Sequence, residues 1–249
     1  IVVLEAALGD KLKTHCYADG RTFRDGLTPY IKGSPWTSLG MDFILGPRAD
    51  EVMTECGSSF IPDDLAEALK RMTVNDVPLT SENDREDHLI VEGMWFAGHP
   101  EGAPNRHFPL FVSLFFVALI GSLKLKKTLK EDKSDASTHV LYKVVRFFIA
   151  GVAMTLGGVL LVMWGLTDHS DTWGNFNLLW TLPACVVFLP QSFKFKRKAI
   201  AAAAIVIAAY LILSPWLLPQ FTSLSLWCGA LAVFLTVAPL RYLHVRTRF

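Results

Sequence analysis

A mainly α-helical integral membrane protein, with five transmembrane helices behind a small, mostly helical extracytoplasmic region, is the fold class this sequence predicts. Two observations predict it. Five apolar stretches fill the second half of the 249-residue chain, and lysine and arginine gather in every other connection between them. The stretches run Phe108–Leu123, Val144–Leu166, Phe176–Phe193, Ala199–Leu218 and Ser223–Leu240, and most carry no charge. Each is near the length a helix needs to cross about 30 Å of hydrocarbon. A soluble core helix of that length would show a polar face, and these do not.

Orientation follows from the connections. Lys124, Lys126, Lys127, Lys130, Lys133, Lys143 and Arg146 lie between the first two stretches. Lys194, Lys196, Arg197 and Lys198 follow the third, and Arg241, Arg246 and Arg248 follow the fifth. The segment Thr167–Asn175 and the turn Pro219–Thr222 have neither lysine nor arginine. Positive charge marks the cytoplasmic side, so the expected topology puts residues 1–107 and the Asp168–Asn175 loop outside and the carboxyl terminus inside. Trp164, Trp173, Trp180, Trp216 and Trp227 fall near the expected helix ends, where interfacial aromatics belong. The 24 basic and 23 acidic residues nearly cancel, and the lysine runs read as topology rather than as a nucleic-acid surface.

Two domains are expected, residues 1–107 and the five-helix domain 108–249. The first is polar, with short amphipathic pieces. Helices are expected across Val2–Lys13, Thr22–Ile31 and the segment starting at Pro62, where Leu65, Leu69 and Met72 recur at helical spacing. Pro62 suits a first turn, and Asp63 and Asp64 suit the positive end of a helix dipole. Trp36–Leu45 is a short apolar stretch closed by Gly46-Pro47, and Val74–Glu92 reads as loop and short extended structure. So few apolar runs make a thin core for about 100 residues. The chain starts at Ile1 without a signal peptide, yet the topology exports the region ahead of the first span, so upstream polypeptide is expected.

Four segments, in order, resemble the Lnb family of bacterial lipoprotein N-acyltransferases. They are Arg21–Leu27 with its Arg24-Asp25 pair, Pro35–Asp50, Phe60–Leu69 followed by Pro78-Leu79, and Thr167–Trp180. The resemblance covers most of residues 15–185. It implies a periplasmic permuted papain-like α+β domain followed by membrane helices, in the bacterial inner membrane. The implied chemistry is acyl transfer: a cysteine thiolate attacks an ester, and the thioester passes its acyl group to the terminal amine of a lipoprotein. The implied partners are membrane phospholipid and lipoprotein, with no cofactor. Cys16 then stands as the nucleophile, but it lies three residues ahead of the family spacing, where Asp19 stands instead. The family's histidine-bearing half would precede this region.

The residues themselves leave alternatives open. Cys16 reads as a nucleophile, as half of a disulfide with Cys56, or as a free thiol. Cys185 and Cys228 lie in spans and read as small packing residues. His169, beside Asp168, either supplies an imidazole or is an ordinary solvated loop residue. Asn175 and Asn177 either join it in a patch that orients a lipid head group or simply enter the next helix. Asp19, Arg24 and Asp25 support a site or cap and charge-pair a helix start. His88, His99 and His107 have no partner at metal-ligand spacing, so no metal site is expected. Beside the enzyme reading stands a second: a non-catalytic membrane subunit or scaffold of a larger complex.

Overall fold

The computed structural model describes residues 6–13, 20–31, 33–54, 56–78, 107–129, 136–190, 192–218 and 223–238. The chain divides into two units, Ile1–Ser34 with Ala49–Pro104 and Pro35–Arg48 with Asn105–Phe249.

The first unit holds helix α1 (Phe23–Ile31), helix α3 (Pro62–Arg71) and a small antiparallel sheet. Strand β1 (Leu12–Lys13) pairs with β2 (Thr73–Val74), which pairs with β3 (Val77–Pro78). Asn75 and Asp76 join β2 to β3, both at positive φ (52° and 64°), the geometry of a two-residue hairpin turn that follows the strand twist. The helix expected across Val2–Lys13 is not continuous among the described residues. Residues 6–8 are helical, Gly9–Lys11 form a 3-10 turn, and Leu12–Lys13 join the sheet. Gly9, at φ +53°, takes the left-handed conformation that ends a helix.

Thr22 and Asp25 explain where α1 starts. The Asp25 backbone N–H donates to Thr22 Oγ1, and the Asp25 carboxylate accepts from the Thr22 N–H and hydroxyl, a reciprocal cap. In α3, Pro62 opens the helix, Asp63 and Asp64 sit in its first turn, and Lys70 and Arg71 in its last. Met53, Ile61 and Met72 are buried. A Cβ on Gly26 would stand 2.2 Å from Ile61 Cδ1, so a side chain here would have to displace the end of the buried Ile61.

The second unit is a helical bundle. It contains α2 (Pro35–Ile44), α4 (His107–Leu129), α5 (Ala136–Leu166), the short α6 (Leu178–Thr181), α7 (Lys196–Leu217) and α8 (Leu224–Val237). Helix α6 runs on as a 3-10 segment, Leu182–Phe188. Ala150, Ala153 and Gly157 line the inner side of α5. At Gly157 an added Cβ would lie 2.8 Å from Thr181 Oγ1, so small residues allow the close approach typical of helices in lipid. Large apolar side chains such as Phe111, Phe115, Val144, Phe148 and Ile205 point outward, as lipid-facing residues do.

All five apolar segments appear in the expected order, but with unequal lengths. Among the described residues three helices are long and apolar enough to cross a membrane: His107–Thr128, Ala136–Leu166 and Lys196–Leu217. Leu178–Phe188 and Leu224–Val237 are shorter. At helical rises each covers about 20 Å, short of the roughly 30 Å of hydrocarbon. In the third segment the cause is Pro183, which opens the 3-10 run and lacks the N–H that would continue α6, with Pro190 beyond the end.

The first two helices also extend past their expected ends. Lys124, Lys126 and Lys127 belong to the last turns of α4, and Lys143 and Arg146 to the first turns of α5. The basic residues gather at one end of the bundle. The Lys124 ammonium donates to the carbonyls of Leu235 (2.6 Å) and Ala238 (2.7 Å), and the Lys196 ammonium to that of Leu189.

Candidate functional site

The other end of the bundle carries the polar residues singled out by the sequence. After α5 the chain turns through Thr167, Asp168 and His169 into a 3-10 turn, Ser170–Thr172. Gly174 reverses it at φ +67°, and Asn175 and Asn177 lead into α6. Against this loop packs Pro35–Arg48. The Gly46 N–H donates to the Asp171 carbonyl at 2.7 Å. A Cβ on Gly46 would lie 2.4 Å from the Trp173 carbonyl oxygen and 3.1 Å from that of Asp171. Backbone cannot give way like a flexible side chain, so this position requires glycine. The Arg48 guanidinium lies 5.5 Å from the centre of the Trp173 ring, and Trp36 meets Phe108 edge-on at 5.8 Å.

Two buried asparagines hold the assembly. Asn175 Nδ2 donates to the carbonyls of Phe43 (2.8 Å) and Ile44 (2.9 Å), at the uncapped end of α2. Its Oδ1 accepts from the Asn177 N–H at 2.9 Å. Asn177 Nδ2 donates to the Phe43 carbonyl at 3.0 Å, while its Oδ1 accepts from Trp180 Nε1 (2.9 Å) and the Tyr210 hydroxyl (3.1 Å). The Thr181 hydroxyl donates to the Asn177 carbonyl at 2.8 Å. Asn175 is 2% exposed and Asn177 1% exposed, so both serve as internal pins rather than as a solvent-facing surface for a head group.

Asp168 and His169 are exposed on the same loop. The His169 carbonyl accepts from the Thr172 N–H and hydroxyl. Among the described residues its imidazole makes no hydrogen bond. The structure thus joins Asn175 and Asn177 to Phe43 and leaves Asp168 and His169 facing outward.

The remaining candidates lie in the first unit. Arg24 is buried and pairs with Asp50 through Nε (2.8 Å) and Nη2 (3.2 Å), while Asp25 caps α1. Arg21 clasps both oxygens of Asp64 at 3.1 and 2.9 Å. The Tyr30 hydroxyl donates to Asp63 at 2.9 Å; burial and this carboxylate push the phenol up to about 12. Cys56 is disulfide-bonded, and Cys185 and Cys228 are free. Cys16, Asp19, His88 and His99 lie outside the described residues. Among the described residues no cluster of His, Cys, Asp and Glu fits a metal.

Sequence reasoning missed Trp180, Tyr210 and Thr181 as members of the pinned cluster. The available signal was Tyr210, a hydroxyl-bearing side chain inside the apolar run Ala199–Leu218, four residues before Ser214.

The model of one protein family, the Lnb transmembrane domain, matches residues 101–248. The chain belongs to the Lnb family. It is therefore a multi-pass membrane protein, and all five apolar segments fall within the Lnb match. Pro35–Arg48, seated on the Lnb bundle, lies outside it. No curated protein and no solved structure matches the chain.

Proposed function

We propose that this Lnb family member works in lipoprotein N-acylation at the outer surface of a bacterial inner membrane, with residues 1–107 periplasmic and the carboxyl terminus cytoplasmic. The observation that carries the reading is the Lnb match, in a bundle that holds Pro35–Arg48 against the lysine-free loop after α5. The short third and fifth apolar elements complete five crossings in this reading, as the alternation of lysine-rich and lysine-free connections requires.

The reaction is acyl transfer in two steps. A cysteine thiolate attacks an ester carbonyl of a phospholipid; the thioester forms as the glycerol oxygen leaves and takes a proton. The α-amine of a lipoprotein's terminal cysteine then attacks the thioester, an amide forms, and the thiol is regenerated. A thiol suits both steps, because it ionises near neutral pH and its acyl form reacts readily with amines. Cys16 is the nucleophile this reading offers, and His169 the base.

A second reading is favoured by one observation. Cys56 is disulfide-bonded while Cys185 and Cys228 are free. In a chain of four cysteines we infer Cys16 as the partner, and a bonded sulfur is no nucleophile. The chain would then be the membrane frame of a larger complex, with the thiolate on other polypeptide.

Two substitutions separate the readings, scored by lipoprotein N-acylation in cells whose activity depends on this protein. If Cys16 is the nucleophile, Cys16→Ser abolishes acylation with the protein still in the membrane, whereas Cys56→Ser leaves it active. If the two form a structural disulfide, both substitutions lower stability by a similar amount, roughly 2–4 kcal/mol, and affect acylation alike. Wild-type acylation in cells lacking the chain would sink both.

A further inference from the structure

Helix α2 carries its charge on the inner side. Its one ionisable residue, Asp42, is buried, while Trp36 and Thr37 are exposed and Gly40 and Met41 are half-buried. Leu39, Phe43 and Ile44 join the apolar core of the bundle. A surface helix in water presents the reverse pattern, with its charges outward. Here a tryptophan that is 52% exposed takes the outward place instead.

The position of α2 in the bundle identifies the medium it faces. Its first turn meets the first turn of α4, where Trp36 packs edge-on against Phe108. Its last carbonyls, those of Phe43 and Ile44, are held by Asn175 at the entrance to α6. Ten residues of helix cover about 15 Å. The helix thus runs across this end of the bundle, from the start of α4 to the start of α6, and does not pass through it. Phe108 in turn heads an exposed apolar stripe on α4 that continues through Phe111 and Phe115. On a membrane helix such a stripe faces lipid, and Trp36 extends it by one ring.

Three further tryptophans are exposed near this end. Trp164 stands in the last turn of α5, Trp173 in the loop that follows, and Trp216 in the last turn of α7. The Tyr210–Asn177 bond ties that part of α7 to the same end. Tryptophan collects where head groups meet acyl chains, because its ring is apolar and its N–H is not.

We propose that α2 is an interfacial helix, with Trp36, Thr37 and Gly40 against the boundary between head groups and acyl chains, in the leaflet on the side of the loop after α5. Lipid is the occupant because the exposed side of α2 is continuous with the stripe of α4; a partner chain seated on Trp36 would cover Phe108 as well. The region ahead of the first span then meets the membrane well before Phe108. This concerns which residues touch lipid, and it stands whether or not the chain transfers acyl groups.

The test uses the unmodified full chain in proteoliposomes. Two phosphatidylcholines carry a diazirine on one acyl chain, the first near the ester and the second at the methyl end. After irradiation, mass spectrometry maps the labelled residues. The shallow probe is expected to label residues 35–41 together with residues 108–111, and to label 35–41 roughly threefold or more above the deep probe. The deep probe is expected on Phe115. Labelling of residues 108–111 without 35–41 overturns the proposal, since water or protein would then cover α2. So does equal labelling of 35–41 by both probes, which would place α2 in the hydrocarbon and not at its boundary.

Discussion

Asn177 shows how much one side chain can organise. Its carboxamide reaches Phe43 on α2, Trp180 on α6 and Tyr210 on α7, and each contact satisfies a group that has no water to turn to. Removing it strands an indole N–H and a phenol together, while the Phe43 carbonyl keeps its bond from Asn175. Asn177→Ala is expected to cost roughly 2 kcal/mol or more, read as a lowered Tm in detergent. Asp168→Ala and His169→Ala, both exposed, should stay within about 0.5 kcal/mol. If His169→Ala nevertheless abolished lipoprotein acylation at unchanged Tm, the imidazole would be acting in chemistry. The sequence marks Asn175 and Asn177 as polar groups beside an apolar helix, and that much is legible. Their role is not, because their partners are main-chain carbonyls 131 to 134 positions away, and a carbonyl leaves no signature in sequence.

The apolar runs of the elements were legible because nothing but a buried or lipid-facing helix tolerates 16 or more uncharged residues. Their ends were not. Lysines do not stop a helix, so α4 continues six residues beyond Leu123, and Pro183 turns the middle of the third run, Leu182–Phe188, into a 3-10 segment. Pro215 has a different effect inside α7. It has no N–H to give to Leu211, four residues earlier, and that carbonyl accepts instead from Trp227 Nε1 on α8 at 3.2 Å. Proline and tryptophan thus act as a pair. Trp227→Phe should destabilise the bundle by about 1 kcal/mol in the native chain. In the Pro215→Ala background the restored N–H takes over the carbonyl, so the cost should largely vanish. A thermal double-mutant cycle measures the difference; additive effects would show that the indole bond matters for some other reason.

At the scale of the molecule, the charge alternation of the connections becomes a bundle with one basic end and one end built from Asn175, Asn177 and Pro35–Arg48. A cysteine-labelling experiment assigns each end to a side of the membrane. In a chain with all four native cysteines replaced, Ser170→Cys should react with an impermeant maleimide from outside intact spheroplasts. Lys130→Cys should react only after the membrane is opened; labelling at the second position in intact spheroplasts would invert the topology. The attachment of Pro35–Arg48 to the membrane half could not be read from the sequence, because the segment sits amid polar sequence and its short apolar run suits a small soluble core equally well. Gly46 records the contact, with the backbone of Asp171–Trp173 against its missing Cβ.

The pinning of α2 also sets an order of events during synthesis. Phe43 leaves the ribosome well before Asn175 and Asn177 exist, since 132 and 134 positions separate the bonded pairs. At about 5–20 residues per second, the nascent helix waits on the order of ten seconds before its terminal carbonyls and its Phe43 face find their places. For that interval the segment is client material for whatever guards emerging chains. Pro35–Arg48, though made early, is finished only once the membrane helices that hold it exist.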